Sequence, residues 1–339
     1  MAWNHWSSGQ DIGRPFQGSV WFYSEYGYGS GATEISQCYG SLGGVQLNMC
    51  SACSVSPVVE VCRIETGDVN RYYRGLDNIF ISKATKTNVD HSMHLEYLVA
   101  TDDRLLPFLV NRSSATVRSL IFVVKTAKDQ TDVGPTWVLT GCKCRNAELA
   151  GSTGEAWKVS ADFSVASVIE RSSTWGSRPT AGLRTTGDIC MFNVGGSLTN
   201  PDANTFAYIT NSFSCSINHN LQDLYTIGQR TKENVIESAY DITGTMDISL
   251  DGGGKYHFRD VLAAAAESTV SVFTSRTDGS PLLNLYNVRF NSSSIDVSPG
   301  NEGMMESAPW TAQAVSCTTL NHGVNHFDGA ISTVVSAFV

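Results

Sequence analysis

The chain has 339 residues, 42% hydrophobic and 16% charged, so it can bury a core and is not generically disordered. Its formal net charge is −9 and it has no Lys/Arg cluster, which argues against tight nucleic-acid binding, because phosphate contacts need a basic patch. That balance still suits a surface past which nucleic acid must slide, where repulsion is useful.

The low charge and the abundance of Ser, Thr, Gly and Asn favour β-structure with many turns. Residues 1–17 lack a basic n-region and an apolar core, so no signal peptide is expected. No run of 18 apolar residues is present, so no membrane partner is expected. The nine cysteines are read as reduced thiols packed as small hydrophobes.

Residues 1–44 read as an N-terminal arm with a first strand in "SVWFYSEYGYGSG". A first unit is expected over 45–170. It starts with the strand "SPVVEVCRIET" and a long polar segment, Gly67–Thr87. Asn88–Val99 then alternates strictly. Asn88, Asp90, Ser92, His94 and Glu96 share one face, opposite Met93, Leu95 and Tyr97. A short helix is predicted over Thr101–Asn111, capped by Thr101, with Asp102 and Asp103 in the first turn. Pro107 is a fault in it, since an interior proline costs about 3 kcal/mol. The strand "ATVRSLIFVVK" follows, then a strand–turn–strand piece, Leu139–Val165, containing Trp157.

Residues 171–202 read as a linker rich in Ser, Thr, Gly, Arg and Pro. A second unit is expected over 203–339, with the same order. "FAYITNSFSCSINHN" is followed by the polar segment Leu221–Tyr240 and the alternating strand Asp241–Leu250. A second helix is expected over Lys255–Ser268, with four consecutive alanines. The strand "STVSVFTSR" leads to a second strand–turn–strand piece, Leu285–Val315, containing Trp310. The end of the chain, "GAISTVVSAFV", reads as a paired strand. In this alignment Met93, Leu95 and Tyr97 lie over Met246, Ile248 and Leu250, and Trp157 corresponds to Trp310. Both halves are acidic: 14 basic minus 17 acidic residues gives −3 for 1–170, and 9 minus 15 gives −6 for 171–339.

Chemistry is sparse. Cys50 and Cys53 form a CxxC, and Cys142 and Cys144 a CxC, but packing is the simpler reading than zinc. His91 and His94 fall on opposite faces of a strand and are poor joint ligands. The stretch "DGGGKYHF" lacks the order that cradles phosphate. Asp102 and Asp103 are explained by helix capping. No catalytic residue, metal or cofactor is assigned. The polar faces are more telling. Asp241, Thr243, Thr245, Asp247 and Ser249 carry no cation, nor do Thr210, Ser212, Ser214, Ser216 and Asn218.

The order of elements, above all "NHNLQDLYTIGQRTKENVIESAYDITGTMDISL" through "RDVLAAAAE" to "LYNVRFNSSSIDVSPGNEGMMESAPWTAQAV", resembles tail tube (major tail) proteins of tailed phages and related viruses. The resemblance implies a mainly β fold: two tandem β-sandwich or barrel tube domains, each with one flanking short helix. It implies self-assembly into stacked rings whose inner sheets fuse around a channel. With two domains per chain, three chains would imitate a six-membered ring. The channel would pass viral DNA without specific binding, and a tape-measure protein and other tail proteins would be partners. The protein would reside in the virion tail after assembly in the host cytoplasm.

On this reading Asp90, Glu96, Asp241, Asp247 and Asp251 face the lumen. Arg71, Tyr72, Arg74, Tyr225, Arg230 and Lys232 lie in loops that stack one ring on the next. Alternatives are a baseplate hub, a tail terminator or a secretion-tube component of the same fold. A further alternative is a monomeric carbohydrate-binding module using the aromatics of "SVWFYSEYGY".

Overall fold

A computed structural model of the chain describes residues 19–25, 28–29, 53–54, 58–73, 83–100, 103, 105–110, 117, 119–125, 136–171, 195–199, 205–208, 210–227, 229–249, 268–273, 281–296 and 305–317. They are mainly β, and every strand pairing among them is antiparallel. In chain order the first strands are β1 (Ser19–Ser24), β2 (Cys53–Ser54), β3 (Val59–Tyr73) and β4 (Lys83–Leu98). A short helix, α1 (Leu106–Val110), precedes β5 (Leu120–Lys125), β6 (Thr136–Ser152), β7 (Lys158–Val165) and β8 (Ser167–Arg171). Then come β9 (Gly195–Thr199), β10 (Thr205–Tyr208), β11 (Thr210–Asn218), β12 (Gln222–Leu224), β13 (Asn234–Ile236) and β14 (Asp241–Ser249). The last are β15 (Ser268–Phe273), β16 (Pro281–Phe290), β17 (Ser294–Asp296), β18 (Met305–Ala312) and β19 (Ala314–Cys317).

The strands form one long front sheet and two smaller back sheets. The front sheet runs β3-β4-β7-β6-β11-β14-β18-β17. One back sheet runs β2-β1-β5-β6-β8, the other β10-β9-β15-β16-β19. β6 and β16 belong to both layers. The bend in β6 falls near Gly141, whose φ is 64°, and the bend in β16 at Asn287, whose φ is 52°. Both conformations are left-handed, where glycine and asparagine are favoured.

The front sheet is built from two sets with the same pairing scheme: β3-β4-β7-β6 and β11-β14-β18-β17. The bends match as well. Ala166 N donates to Thr140 O (3.0 Å), and Gln313 N donates to Tyr286 O (3.1 Å). Counting from these bends, Phe163 corresponds to Trp310, and their partners Met93 and Gly244 correspond. Leu95 therefore matches Met246, and Tyr97 matches Ile248. The expected alignment is off by two residues. A two-residue slip keeps every side chain on its face, so alternation alone cannot detect it. Trp157 does not correspond to Trp310: it lies just before β7, and its carbonyl accepts from Val99 N (2.9 Å).

The core lies between front and back layers. Phe122 of β5 meets Phe163 of β7 edge-on, with centroids 4.9 Å apart, and Phe22 of β1 packs beside Phe122. Across the join between sets, Trp157 meets Phe213 (5.8 Å), and Phe213 stacks on Trp310 (5.8 Å). Each such aromatic contributes about 1.5–3 kcal/mol on burial, the largest local terms in the core.

Several sequence expectations change. The strand expected in "SVWFYSEYGYGSG" is β1, but it is no free arm: it pairs along its whole length with β5 and buries Phe22. β9, within the stretch read as a linker, pairs with both β10 and β15. Asp103 caps α1: its Oδ1 accepts from Leu105 N (2.8 Å) and Leu106 N (2.9 Å). Thr101 lies outside the described residues. The first main-chain donors of α1 are Phe108 and Leu109, both to Leu105 O, so Pro107 sits in the first turn and breaks no bond. The predicted helix over 255–268 and the terminal strand lie outside the described residues, apart from Ser268, which opens β15.

The segment Gly67–Thr87 is not a loop at its ends. β3 and β4 continue into it as a hairpin, pairing Arg71 with Thr85 and Tyr72 with Ala84. Its counterpart, Leu221–Tyr240, is different: β12 and β13 form a small hairpin that folds onto the first set.

Candidate functional site

Period-two alternation gives the front sheet one face toward the core and one polar face. In the second set the polar face is made by Ser212, Ser214, Ser216 and Asn218 of β11, directly opposite Asp247, Thr245, Thr243 and Asp241 of β14. Ser212 Oγ donates to Asp247 Oδ2, Ser214 and Thr245 share a hydroxyl bond (2.8 Å), and Asn220 Nδ2 donates to Asp241 Oδ2 (2.7 Å). Ser307, Pro309 and Thr311 of β18 continue this face. Arg289, opposite Thr311, is the one Lys or Arg in the described strands of this face, and it stands toward its outer edge.

The first set presents Asp90, Ser92, His94 and Glu96 of β4 beside Ser160, Asp162 and Ser164 of β7. By the same count from the bends, Glu96 matches Asp247, and Asp90 matches Asp241. Four of the five acids expected in the lumen thus share one sheet face, at two repeated positions. The fifth, Asp251, lies outside the described residues.

The first set does carry cations, which the polar pattern of the second set did not suggest. Among the described side chains of this face, each has a carboxylate beside it. Lys158 Nζ lies 2.7 Å from Glu96 and 2.8 Å from Glu60. Arg145 donates to Asp223 (3.1 Å), and Arg63 stands 3.9 Å from Glu65. His94 bridges two acids, with Nδ1 2.7 Å from Asp162 and Nε2 3.0 Å from Glu96. The bonds to Asp162 and then Glu96 raise its pKa above the usual histidine value. His91 goes the other way: burial, then nearby Lys232, lowers its pKa.

The residues expected in stacking loops have different fates. Lys232 is buried within the chain, its side chain only 1% exposed. Its Nζ donates to Ser164 Oγ (2.7 Å) and His91 O (3.2 Å), and lies 2.5 Å from Asp90 and 3.2 Å from Asp223. Its charge is therefore matched within the chain, by Asp90 of the first set and Asp223 of its own hairpin. Tyr225 is half-buried near Asp90 and Asp223. Arg230 is exposed, while its carbonyl accepts from Val89 N (2.8 Å). Arg71 and Tyr72 lie in the β3–β4 hairpin, and Arg74 lies outside the described residues.

A second buried lysine fastens the same hairpin. Lys143 Nζ donates to Glu237 Oε1 (2.7 Å) and Val235 O (2.9 Å). Sequence reading placed Lys232 in a stacking loop and did not single out Lys143; the burial of both depends on partners far along the chain, Asp90 and Glu237. Among polar neighbours such as Gln222, Arg230 and Asn234, the hairpin also leaves three apolar side chains exposed: Leu224, Ile227 and Ile236.

Burial explains the thiols. Cys142 and Cys144 are buried in β6, and burial pushes their pKa values up, as it pushes Cys215 up to about 12. Such thiols stay protonated, which suits packing rather than metal ligation. Phe22, in the aromatic run that a carbohydrate-binding module would use, is core. Among the described residues no group of three His, Cys, Asp or Glu side chains is placed to hold a metal ion, and no helix is long and apolar enough to cross a membrane.

No curated protein matches this chain. The family model described as "Phage tail tube protein" matches residues 54–312. That is well over half of the chain, which therefore belongs to the phage tail tube protein family.

Proposed function

We propose, from membership of the tail tube family, that this structural tail protein carries a duplicated tube domain, and that three chains close each ring of the tube. The observation that supports this is the front sheet. One four-strand scheme occurs twice and is already joined edge to edge, by β6 pairing with β11 from Asn146–Asn218 to Ser152–Ser212. Two sets that continue one sheet within a chain are suited to continuing it between chains, and closure removes the exposed edges.

The polar face then lines the bore. Its acids and hydroxyls, with cations held by carboxylates, offer phosphate little to bind, so viral DNA passes without being gripped. A tape-measure protein would occupy the same bore during assembly. The exposed apolar residues of the β12–β13 hairpin, with Tyr225 and Arg230 beside them, would bear on the next ring, as the β3–β4 hairpin would.

Electron microscopy of the purified full chain, together with its mass in solution, tests this reading. Rings or tubes with three chains per ring are expected. Six chains per ring, or a protein monomeric at all concentrations, would overturn it.

A further inference from the structure

At the internal join, Glu148, Leu149 and Ala150 of β6 stand opposite Ser216, Cys215 and Ser214 of β11. Leu149 and Cys215 are both buried there. The matching bends place Lys158, Val159 and Ser160 of β7 at the positions of Met305, Glu306 and Ser307 of β18. Their partners on the next strand are Ala150, Leu149 and Glu148 in the first set, and Asp296, Ile295 and Ser294 in the second. β17 is therefore the second set's version of the end of β6.

The other edge follows in the same way. Met93 and Gly244 correspond, and their partners are Ile64 of β3 and Cys215 of β11. Arg63 then matches Ser214, and Glu65 matches Ser216. Among the described residues, no strand pairs with the outer edge of β3 or with that of β17.

We propose that β3 of one chain pairs antiparallel with β17 of a second copy, with Ile64 opposite Ile295, Arg63 opposite Asp296 and Glu65 opposite Ser294. This rests on the ring reading and adds its edges and register. Two observations beyond the repeat count favour it. Ile295 is 45% exposed, although its counterpart Leu149 is 3% exposed. Ile64 packs at the rim of the core, so pairing the two buries both. The register also sets a cation across from an anion, a favourable cross-strand pair, and Arg63 is 66% exposed with Glu65 only at 3.9 Å.

The test uses the full chain. R63D alone and D296R alone should each raise the concentration needed for assembly by about five-fold or more, because like charges then face each other. The double variant R63D/D296R should restore it. Separately, E65C/S294C should form covalently linked oligomers on oxidation, while each single cysteine variant should not, since opposite positions lie within disulfide reach. Unfolding curves of the single variants should match the parent, because both sites lie at sheet edges.

If the parent forms rings but the charge variants assemble normally and the cysteine pair does not cross-link, the register is wrong and the ring reading stands. If the parent never assembles, both fall. Cross-linking that occurs only within one chain would assign the edges to each other inside a monomer and would also overturn the proposal.

Discussion

Gly244 of β14 lies directly under the indole of Trp310 in β18. A Cβ placed on Gly244 would stand 2.3 Å from Trp310 Cζ2 and 2.0 Å from Ser214 O on the other neighbouring strand. The two residues are cross-strand partners, and the absent side chain makes room for the ring that stacks on Phe213.

Gly244→Ala should therefore destabilise the protein by about 1–3 kcal/mol, because neither the ring nor the ladder can yield cheaply. Gly67→Ala is the matched control. The nearest atom to its new Cβ is 3.9 Å away, and little change is expected. Urea unfolding of the two variants checks the contrast.

Lys232 holds the β12–β13 hairpin on the first set. Lys232→Met should remove the buried ammonium and its bonds to Ser164 and His91 and cost about 1.5–3 kcal/mol, as for hydrogen bonds to a charged group. Amide exchange should rise at Val89, which is bonded to Arg230 O, and along β13. Unchanged exchange there would show that the hairpin is held by other contacts.

The two histidines of β4, on opposite faces of the strand, should titrate apart. His94 has a raised folded pKa, so its bonds to Asp162 and Glu96 stabilise the fold fully below the unfolded value of about 6.5. That contribution is lost as pH rises through the folded pKa. His91 has a lowered folded pKa, so its contribution is present above about 6.5 and is lost as pH falls through its folded value. Imidazole titration by NMR should place His94 above His91. The His94→Gln variant should lose the destabilisation that the parent shows as pH rises above about 6.5.

The exposed tip of the second-set hairpin should separate stacking from ring closure. Ile227, 102% exposed, and Leu224, 43% exposed, belong to neither of the edge strands, β3 and β17, inferred to join chains. Ile227→Asp with Leu224→Asp should leave isolated rings and abolish tubes, as seen by electron microscopy.

Much of the polar face was legible in the sequence. The alternation of Asp241–Leu250 and Asn88–Val99 assigned Asp90, Glu96, Asp241 and Asp247 to one kind of face, and the strands carry them that way. Alternation alone aligns the two halves two residues off, because an even shift leaves an alternating pattern unchanged. Trp157 and Trp310 looked equivalent because both follow a polar turn, but pairing places Trp310 where Phe163 stands. Cations such as Lys158 and Lys232 were hard to place because their partners, Glu60 and Asp90, lie far away in sequence. β9 is hidden in Ser- and Gly-rich surroundings, and its strand character comes from the neighbours that pair with it.

The most direct test of the account is a three-dimensional reconstruction of the assembled tube. The account predicts three chains per ring, with β4, β7, β14 and β18 in the bore wall and Asp241 and Asp247 facing the channel. A bore lined by the back sheets, or one in which those two acids face outward, would contradict it.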